Sequence, residues 1–386
     1  MVVGFGMAAQ AAEIRIDTDF PGGNAIVEKI EGDTVTLRSD LRNTKGYWFY
    51  WCFQVSGAGG RTVNFQFTDE MPVGVRGPAV STDGGATWAW NEKDFTQNRF
   101  SYNFPEGAGP VRFGVGMTYT GAHWKKFLGG HAGDPRLKTG ELCRSRSGRV
   151  VESATIDPVN GEASYRVLLA ARHHSCEMMA SYTLEGFLEQ VLADDDLGRW
   201  LAKNVSFHVV PFVDKDGVEE GDQGKNRAPR DHNRDYDDKP LYPETQAIRG
   251  LISGGSKGPP IVTIDLHCPW IRGDTSEIIY QPGRKDPDKW AEQQKFGRLL
   301  EAVRRGPLPY YQKDDLPFGK AWNVDSNTAD GVTFSKWAGD QPGVRFALGL
   351  EIPYANASGV AVTAESARAF GSDLARALKA YLQNTP

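Results

Sequence analysis

The hydrophobic pattern along the chain changes character about a third of the way through. Up to residue 119 apolar and polar positions alternate, most clearly at residues 63–67, 100–104 and 111–117. A period of two is typical of strands that bury one face, and turns rich in Gly and Pro separate the runs. The pattern predicts an antiparallel β-sandwich. The bulkier run at residues 47–55 predicts a central strand buried on both faces.

In the remainder of the chain, short apolar runs alternate with stretches of helical spacing. This alternation predicts an α/β fold with a largely parallel central sheet. We therefore predict a β-sandwich domain over residues 13–125 and an α/β catalytic domain over residues 126–386. The predicted strands of the second domain cover residues 149–156, 164–171, 205–214, 260–267, 277–281 and 346–353, and the predicted helices cover residues 178–192, 244–253, 288–305 and 364–384.

The first twelve residues resemble the end of a signal peptide. A short apolar stretch is followed by Ala9-Gln10-Ala11, which has the small-x-small pattern of a cleavage site. This predicts a periplasmic or secreted protein, with a cytoplasmic location as the alternative. No apolar run approaches the roughly 20 residues that a membrane helix needs, so no membrane span is predicted.

Composition excludes some classes of protein. Hydrophobic residues make up 40% of the chain and charged residues 24%, which is ordinary for a globular protein. The net charge of −5 argues against a nucleic-acid surface, which would need a broad basic face. Aromatic residues on the strands are expected in the core, with a glycan or peptide groove as the alternative. The oligomeric state stays open.

Candidate chemistry lies at the ends of three predicted strands. His174 and Glu177 follow the first of them, His267 ends the second and Glu351 ends the third. Ligands of an open α/β sheet bind at the carboxyl ends of its strands. Imidazole and carboxylate groups are ligands of catalytic zinc, which keeps one further position for water. A carboxylate such as Glu351 beside that water is suited to act as a general base.

Two weaker signals accompany these residues. Asp265 lies two positions before His267 and is either structural or a hydrogen-bond partner of that ligand. The loop at residues 214–236 carries four cations within ten residues. A guanidinium matches a carboxylate, so this loop is a candidate for holding an anionic substrate group, and a solvated charged loop is the alternative.

The ordered set of motifs, His-x-x-Glu, Asp-x-Asn-Arg, His and Glu, resembles the M14-type zinc carboxypeptidases. The chain is most similar to their cytosolic carboxypeptidase branch, whose members carry a β-sandwich ahead of the peptidase domain. The run Trp48-Phe49-Tyr50 also looks like part of that sandwich, so the resemblance covers nearly the whole chain from Glu13. It implies one zinc ion per chain and removal of the last residue from a peptide or protein tail.

The resemblance also implies a role for individual residues. His174, Glu177 and His267 would bind zinc, and Glu351 would be the general base. Asp231 would orient the imidazole of His174. The free carboxylate of the substrate would be held by Asn233, Arg234 and Arg230.

Two roles of the family stay unassigned by spacing. The cation that stabilises the oxyanion is Lys225, Arg227 or Arg230, and Arg227 is preferred. The tyrosine that caps the substrate is one of four, namely Tyr280, Tyr310, Tyr311 and Tyr354. The loop also departs from the family at His232, where relatives have a small or apolar residue.

Other functions and details remain as alternatives. A zinc-dependent deacylase of N-acyl amino acids shares the ligand pattern, and an inert scaffold that binds peptides or glycans is the non-enzymatic alternative. Acidic tails and cell-wall peptides are both plausible substrates. Cys176 and Cys268 adjoin predicted ligands, which suggests a thiolate ligand or a disulfide, although two small buried side chains are the simpler interpretation.

Overall fold

The structure is a computed structural model that describes residues 13–46, 48–159, 161–254 and 261–384. The predicted remnant of a signal peptide at residues 1–12 lies outside the described residues. Among the described helices, none has the length and apolar character needed to cross a bilayer.

The first part of the described chain forms two sheets that pack face to face. The alternation in its sequence is directly visible, because Val63, Phe65 and Phe67 are buried and the residues between them are exposed. Rings from the two sheets meet in the middle, with centroids 5.2 Å apart for Phe65 and Phe113. The strands are β1 (Arg15–Asp17), β2 (Ile26–Glu31), β3 (Thr34–Arg38), β4 (Cys52–Ser56), β5 (Thr62–Phe67), β6 (Ala79–Ser81), β7 (Ala89–Trp90), β8 (Arg99–Asn103) and β9 (Val111–Gly114).

The strand orders are β1-β4-β9-β6-β7 in one sheet and β2-β3-β5-β8 in the other. The predicted sandwich is confirmed, with one parallel pair, β3 and β5, among antiparallel neighbours. The predicted strand at residues 47–55 is shorter than expected, because only its end belongs to β4. The backbone amides of Phe49 and Tyr50 instead donate to Oε1 of Gln223, at 3.1 and 2.9 Å.

The helix α1 (Gly121–Gly130) leads into a third sheet, which has six strands within the described residues. Its strands are β10 (Leu137–Arg144), β11 (Val150–Ile156), β12 (Tyr165–Ala171), β13 (Val205–Val210), β14 (Val262–His267) and β15 (Phe346–Glu351). Their order is β10-β11-β13-β12-β14-β15, and the four strands from β13 to β15 run parallel. The α/β fold is thereby confirmed, and the antiparallel strands β10 and β11 make the sheet mixed.

Helices and a small hairpin complete this part of the molecule. Helices α2 and α8 pack directly against each other. The helices are α2 (Met178–Leu192), α3 (Asp196–Asn204), α4 (Lys215–Glu220), α5 (Pro243–Gly254), α6 (Pro287–Val303), α7 (Phe334–Gly339) and α8 (Ala364–Gln383), and the hairpin strands are β16 (Asn356–Ala357) and β17 (Val360–Ala361).

Some predicted elements differ from the structure for physical reasons. The predicted strand at residues 277–281 is wrong, because only Tyr280 pairs there, through an isolated bridge to Glu351. Strand β10 was not predicted because it is a mostly exposed edge strand without a buried stripe. One continuous cluster of buried side chains runs from Ile14 to Leu382 and joins both sheet systems. The domain boundary near residue 125 stays a prediction.

Candidate metal centre

The parallel strands bring the three predicted motifs to one edge of the sheet. His267 and Glu351 are register partners at the ends of β14 and β15. Strand β12 lies on the other side of β14, and the turn after it carries His174 to the same edge. Glu177 is the residue immediately before α2. Residues far apart in the chain therefore meet because neighbouring parallel strands end together.

The two imidazoles face one carboxylate. Nδ1 of His174 lies 2.8 Å from Oε1 of Glu177, and Nδ1 of His267 lies 2.8 Å from Oε2. All three side chains are buried, and their ligand atoms lie within 4.8 Å of one another. Two nitrogen donors and a carboxylate within this distance fit a catalytic zinc ion, which needs three protein ligands.

An aspartate holds each imidazole from its far side. Nε2 of His174 lies 3.2 Å from Oδ1 of Asp231, the residue predicted to orient it. Nε2 of His267 lies 2.6 Å from Oδ2 of Asp265. An ionised carboxylate is an acceptor only, so each Nε2 carries a proton towards its aspartate, and zinc would take the place of the proton on each Nδ1. The two aspartates thus favour the tautomer that a metal ligand requires.

Glu351 borders the same site with an unused acceptor. Its Oε2 is buried and has no hydrogen-bond partner. Burial raises the pKa of Glu351, and the nearby His267 and Lys225 only partly oppose this shift. An unpartnered oxygen beside the ligand set is a suitable acceptor for a proton from water.

These residues open into a cavity of about 760 Å³. The backbone and side chains of Asn233 and Arg234 form part of its wall. Asn233 Oδ1 accepts from the backbone N–H of Phe334 at 2.9 Å, and Nη2 of Arg234 donates to the carbonyl of Asn327 at 3.0 Å. These contacts anchor the pair while leaving it on the cavity surface.

Of the three cations considered for the oxyanion, only Lys225 lines this cavity. Its Nζ lies 2.8 Å from Oε1 of Glu177 and donates to the carbonyl of Cys268 at 2.9 Å. The loop that carries Lys225 packs tightly on the loop that carries His174. The close approach is visible at Gly224 (φ 80°), where an added Cβ would clash with the backbone nitrogen of Ser175.

The preference for Arg227 is corrected by its contacts. Its guanidinium forms ion pairs with the buried carboxylates of Asp214 and Asp222, away from the cavity lining. Arg230 is similarly committed, at 3.0 Å from Asp235 and 2.9 Å from Asp237. A guanidinium held by two carboxylates is not available for a substrate group, so the structure does not bring Arg227 or Arg230 to the metal ligands.

Only one of the four candidate tyrosines lines the cavity. Tyr280 does so, with its hydroxyl accepting from Nε1 of Trp322 at 3.0 Å. Tyr310 is engaged by Asp315, and the hydroxyl of Tyr354 lies 3.3 Å from Sγ of Cys176. Neither these two nor Tyr311 is part of the lining. His232 is buried against the ring of Tyr242, at 3.8 Å between centroids, and is not part of the cavity lining.

The cysteines contribute no covalent bond. All four are free, so the suggested disulfide between Cys176 and Cys268 is wrong. Burial raises the pKa of the Cys176 thiol to about 12, which keeps it protonated at neutral pH. A protonated thiol is a poor zinc ligand, and the simpler interpretation of both residues as small buried side chains fits the structure.

Sequence reasoning missed several residues of the site. His173 and Tyr236 extend the contacts of Asp265, and Trp270, Trp322 and Lys336 line the cavity. The pair His173-His174 was a visible signal, since the residue beside a strand-end ligand points to the opposite face. The cavity walls had no such signal, because they come from separate loops.

Comparisons with known proteins agree with this geometry. A family model for zinc carboxypeptidase, Peptidase M14, matches residues 131–365, which is more than half of the chain. Cytosolic carboxypeptidase 3 of Mus musculus is 30% identical over 185 residues, which cover 45% of this chain and 18% of the relative. Cytosolic carboxypeptidase 6 of Caenorhabditis elegans is 24% identical over 285 residues, covering 65% and 61%. The chain thus spans less than two thirds of the length of either relative.

Solved structures share the fold over nearly the whole chain. A metallo-carboxypeptidase from Burkholderia cenocepacia superposes with a TM-score of 0.79 at 20% identity, covering 96% of this chain and 99% of the other. A metallo-carboxypeptidase from Pseudomonas aeruginosa, in complex with (2-guanidinoethylmercapto)succinic acid, has a TM-score of 0.76 at 18% identity, with 96% and 99% coverage. The resemblance drawn from the sequence motifs is confirmed, and the chain belongs to the zinc carboxypeptidase family.

Proposed function

We propose that the protein is a zinc-dependent metallocarboxypeptidase that removes the last residue from peptides. The observation that carries the proposal is the buried set His174, Glu177 and His267 at the edge of a cavity that also exposes Asn233 and Arg234. One group of residues suits a catalytic metal, and the other suits a free carboxylate. A C-terminal residue is the part of a peptide that presents a carboxylate next to a scissile bond.

Zinc bound by the three ligands would supply a Lewis acid that lowers the pKa of water to about 7 and polarises the carbonyl. Glu351 takes the proton of the attacking water and later delivers it to the leaving amine. Asn233 and Arg234 hold the terminal carboxylate, so only the last peptide bond reaches the ligands. Lys225 donates to the carbonyl oxygen as negative charge develops there, a contact typically worth about 3–4 kcal/mol.

The cavity lining favours an acidic side chain on the last residue. Besides Lys225 and Arg234 it carries four cations, and three of these have acidic partners: Arg284 and Lys289 share Asp340, and Lys285 lies 2.8 Å from Asp325. The fourth, Lys336, has no ion pair within the described residues, although it lines the cavity. A carboxylate at the end of the substrate side chain would fill this role.

A peptide panel tests the proposal directly. The peptides share one body and end in Glu, Asp, Lys, Leu or D-Ala, and each is incubated with apo and zinc-loaded protein. We expect zinc-dependent release of the last residue, fastest for Glu or Asp, and no cleavage of N-acyl amino acids. Hydrolysis of N-acyl amino acids alone would identify the deacylase instead, and preference for the D-Ala peptide would favour a cell-wall substrate and a periplasmic location.

The variant Glu351→Gln tests the assignment of the base. The amide keeps the shape of the side chain but cannot accept the proton of water, so we expect kcat to fall at least about 100-fold. The zinc content of the variant should equal that of the wild type, because Glu351 is not one of the three ligands. Normal turnover by a zinc-loaded Glu351→Gln protein would remove Glu351 from this role.

A further inference from the structure

A second buried cluster lies directly behind His267. Oδ2 of Asp265 lies 2.6 Å from Nε2 of His267, and Oδ1 lies 2.8 Å from Nδ1 of His173. Nε2 of His173 in turn lies 2.8 Å from the hydroxyl of Tyr236. The four side chains form one continuous line of hydrogen bonds that leads from the ligand set into the protein interior. No step of the proposed reaction uses the last three of them.

Hydrogen-bond polarity along this line has one consistent solution. Asp265 accepts from both histidines, so His267 carries its proton on Nε2 and His173 carries its proton on Nδ1. Nε2 of His173 then accepts from the hydroxyl of Tyr236. Every group in the line has a partner, and the nitrogen of His267 that remains for zinc is Nδ1, which faces Glu177.

The cluster is also a candidate metal site by distance alone. Ligand atoms of His173, Asp265 and His267 lie within 4.8 Å of one another. Two observations argue against a metal there. Both nitrogens of His173 already have partners, and neither His173 nor Asp265 lines the cavity, since both are fully buried. An ion at this position would break the hydrogen bonds of Asp265 to both histidines and would be out of reach of the substrate.

Aromatic packing holds the line in place. The ring of His173 stacks on Phe334 with a centroid distance of 5.2 Å, and Tyr236 packs edge-on against the same ring, also at 5.2 Å. Tyr236 and Phe334 belong to a hydrophobic cluster on one face of the sheet. Phe334 also binds Asn233 through its backbone N–H. The cluster is therefore connected both to His267, a proposed zinc ligand, and through Phe334 to Asn233, which is proposed to hold the substrate carboxylate.

We propose that Asp265, His173 and Tyr236 are positioning residues that fix the ring orientation and tautomer of His267 for zinc. This inference rests on the proposed function only in assuming zinc at the three ligands. Groups that orient a metal ligand typically change metal affinity by about 10- to 100-fold when they are altered. The effect should decline along the line, because each further residue acts through the one before it.

Zinc affinity, measured by competition with a chelator, is the test. We expect Asp265→Asn to raise the dissociation constant of zinc by about 10- to 100-fold. At the next position a matched pair separates orientation from packing. His173→Asn keeps an N–H in place of Nδ1 and should stay within about 3-fold of wild type, whereas His173→Phe keeps the ring but loses the donor and should weaken zinc binding by about 10-fold. Tyr236→Phe should have the smallest effect.

Nitrogen chemical shifts of the zinc-loaded protein provide a second readout. We expect His267 as the Nε2–H tautomer and His173 as the Nδ1–H tautomer, with the Nε2 signal of His267 shifted in Asp265→Asn. Unfolding temperatures of the apo variants control for a general loss of stability.

Several results would overturn the inference. These are wild-type zinc affinity in Asp265→Asn, equal affinities of the two His173 variants, or two zinc ions per chain with the second one lost on changing His173. If the wild type binds zinc but cleaves no peptide, the proposed function fails while the ranking of affinities still decides this inference. If the wild type binds no zinc, both fail.

Discussion

Arg234 and Arg230 lie four residues apart in one loop and have opposite surroundings. Arg234 lines the cavity, donates to carbonyl oxygens and forms no ion pair among the residues that the structure describes. Arg230 forms ion pairs with Asp235 and Asp237 outside the cavity. At the scale of single residues, the local partner rather than the residue type decides which guanidinium can receive a substrate carboxylate.

We therefore expect Arg234→Ala to raise KM for peptides. A hydrogen bond to a charged group is worth about 1.5–3 kcal/mol, which corresponds to an increase of about 10- to 150-fold in KM. Arg230→Ala is the matched control, and its KM should stay near that of the wild type. Steady-state kinetics on one good peptide measures both, and a larger effect from Arg230 would contradict the geometry.

Asp315 is a buried carboxylate beside the cavity wall. It accepts hydrogen bonds from the backbone N–H of Gln281 at 2.9 Å and from the hydroxyl of Tyr310 at 2.9 Å, but it has no cationic partner among its contacts. Burial raises its pKa to about 7. The folded state thus binds a proton there more tightly than the unfolded chain, in which an aspartate has a pKa of about 4.

The sign of the pH dependence follows from that difference. The stability that protonated Asp315 contributes is complete below about pH 4 and is lost as pH rises through about 7. Asp315→Asn should remove this loss, because its amide stays neutral over the whole range and can still accept from the backbone N–H of Gln281. We expect the variant to melt above the wild type at pH 8 and close to it at pH 4.5. If the melting temperatures of the variant and the wild type differ by the same amount at both pH values, Asp315 is not the source of the pH dependence.

Helices α2 and α8 approach each other closely where glycines face the partner backbone. A Cβ on Gly371 would clash with the carbonyl oxygen of Thr183 and lie 2.5 Å from the backbone nitrogen of Phe187. Gly186 on α2 meets the backbone of Arg368 in the same way. At the scale of elements, this contact sets the position of α2, and Glu177 directly precedes that helix.

Gly371→Ala should destabilise the protein. Overpacking a tight contact costs about 1–3 kcal/mol, and the clash here involves backbone that cannot rotate away. Gly129→Ala in α1 is the matched control, because nothing lies within 4 Å of its added Cβ. There we expect little change or a small gain from the better helix former. Urea unfolding of both variants compares them, and equal stabilities would refute the close approach.

At the scale of the whole molecule, the amino-terminal part of the chain contributes a side chain to the cavity. Trp48, which precedes β4, lines the cavity beside Trp270, with ring centroids 5.2 Å apart. The chain before it contacts the loop at residues 214–236, since the N–H of Lys45 donates to the carbonyl of Asn226 at 3.3 Å. The amino-terminal part therefore forms a portion of the cavity wall.

We expect Trp48→Ala to reduce kcat/KM for peptides with a large residue before the scissile bond. Aromatic contacts are worth about 0.5–1.5 kcal/mol, which gives a reduction of about 2- to 10-fold. Zinc affinity should not change. Trp88→Ala is the control, because Trp88 belongs to the same part of the chain but lies outside this cavity. A similar loss in both variants would indicate a general effect on folding.

The sequence alone determined the strands that carry the site and the polar residues at their ends. Apolar runs that stop at His267 and Glu351 predict both the strand and the edge at which the side chain emerges, because parallel strands end together. The family motifs were equally readable, since their spacing lies within single loops. These features depend on neighbours a few residues away.

Tertiary structure alone decided which groups face the cavity. Lys225 and Arg227 look alike in the sequence, and only the contacts with Glu177 on one side and Asp214 and Asp222 on the other separate them. The line from His267 to Tyr236 likewise joins three separate segments. The physical reason is that burial and charge pairing are set by partners distant in the chain, which no local pattern records.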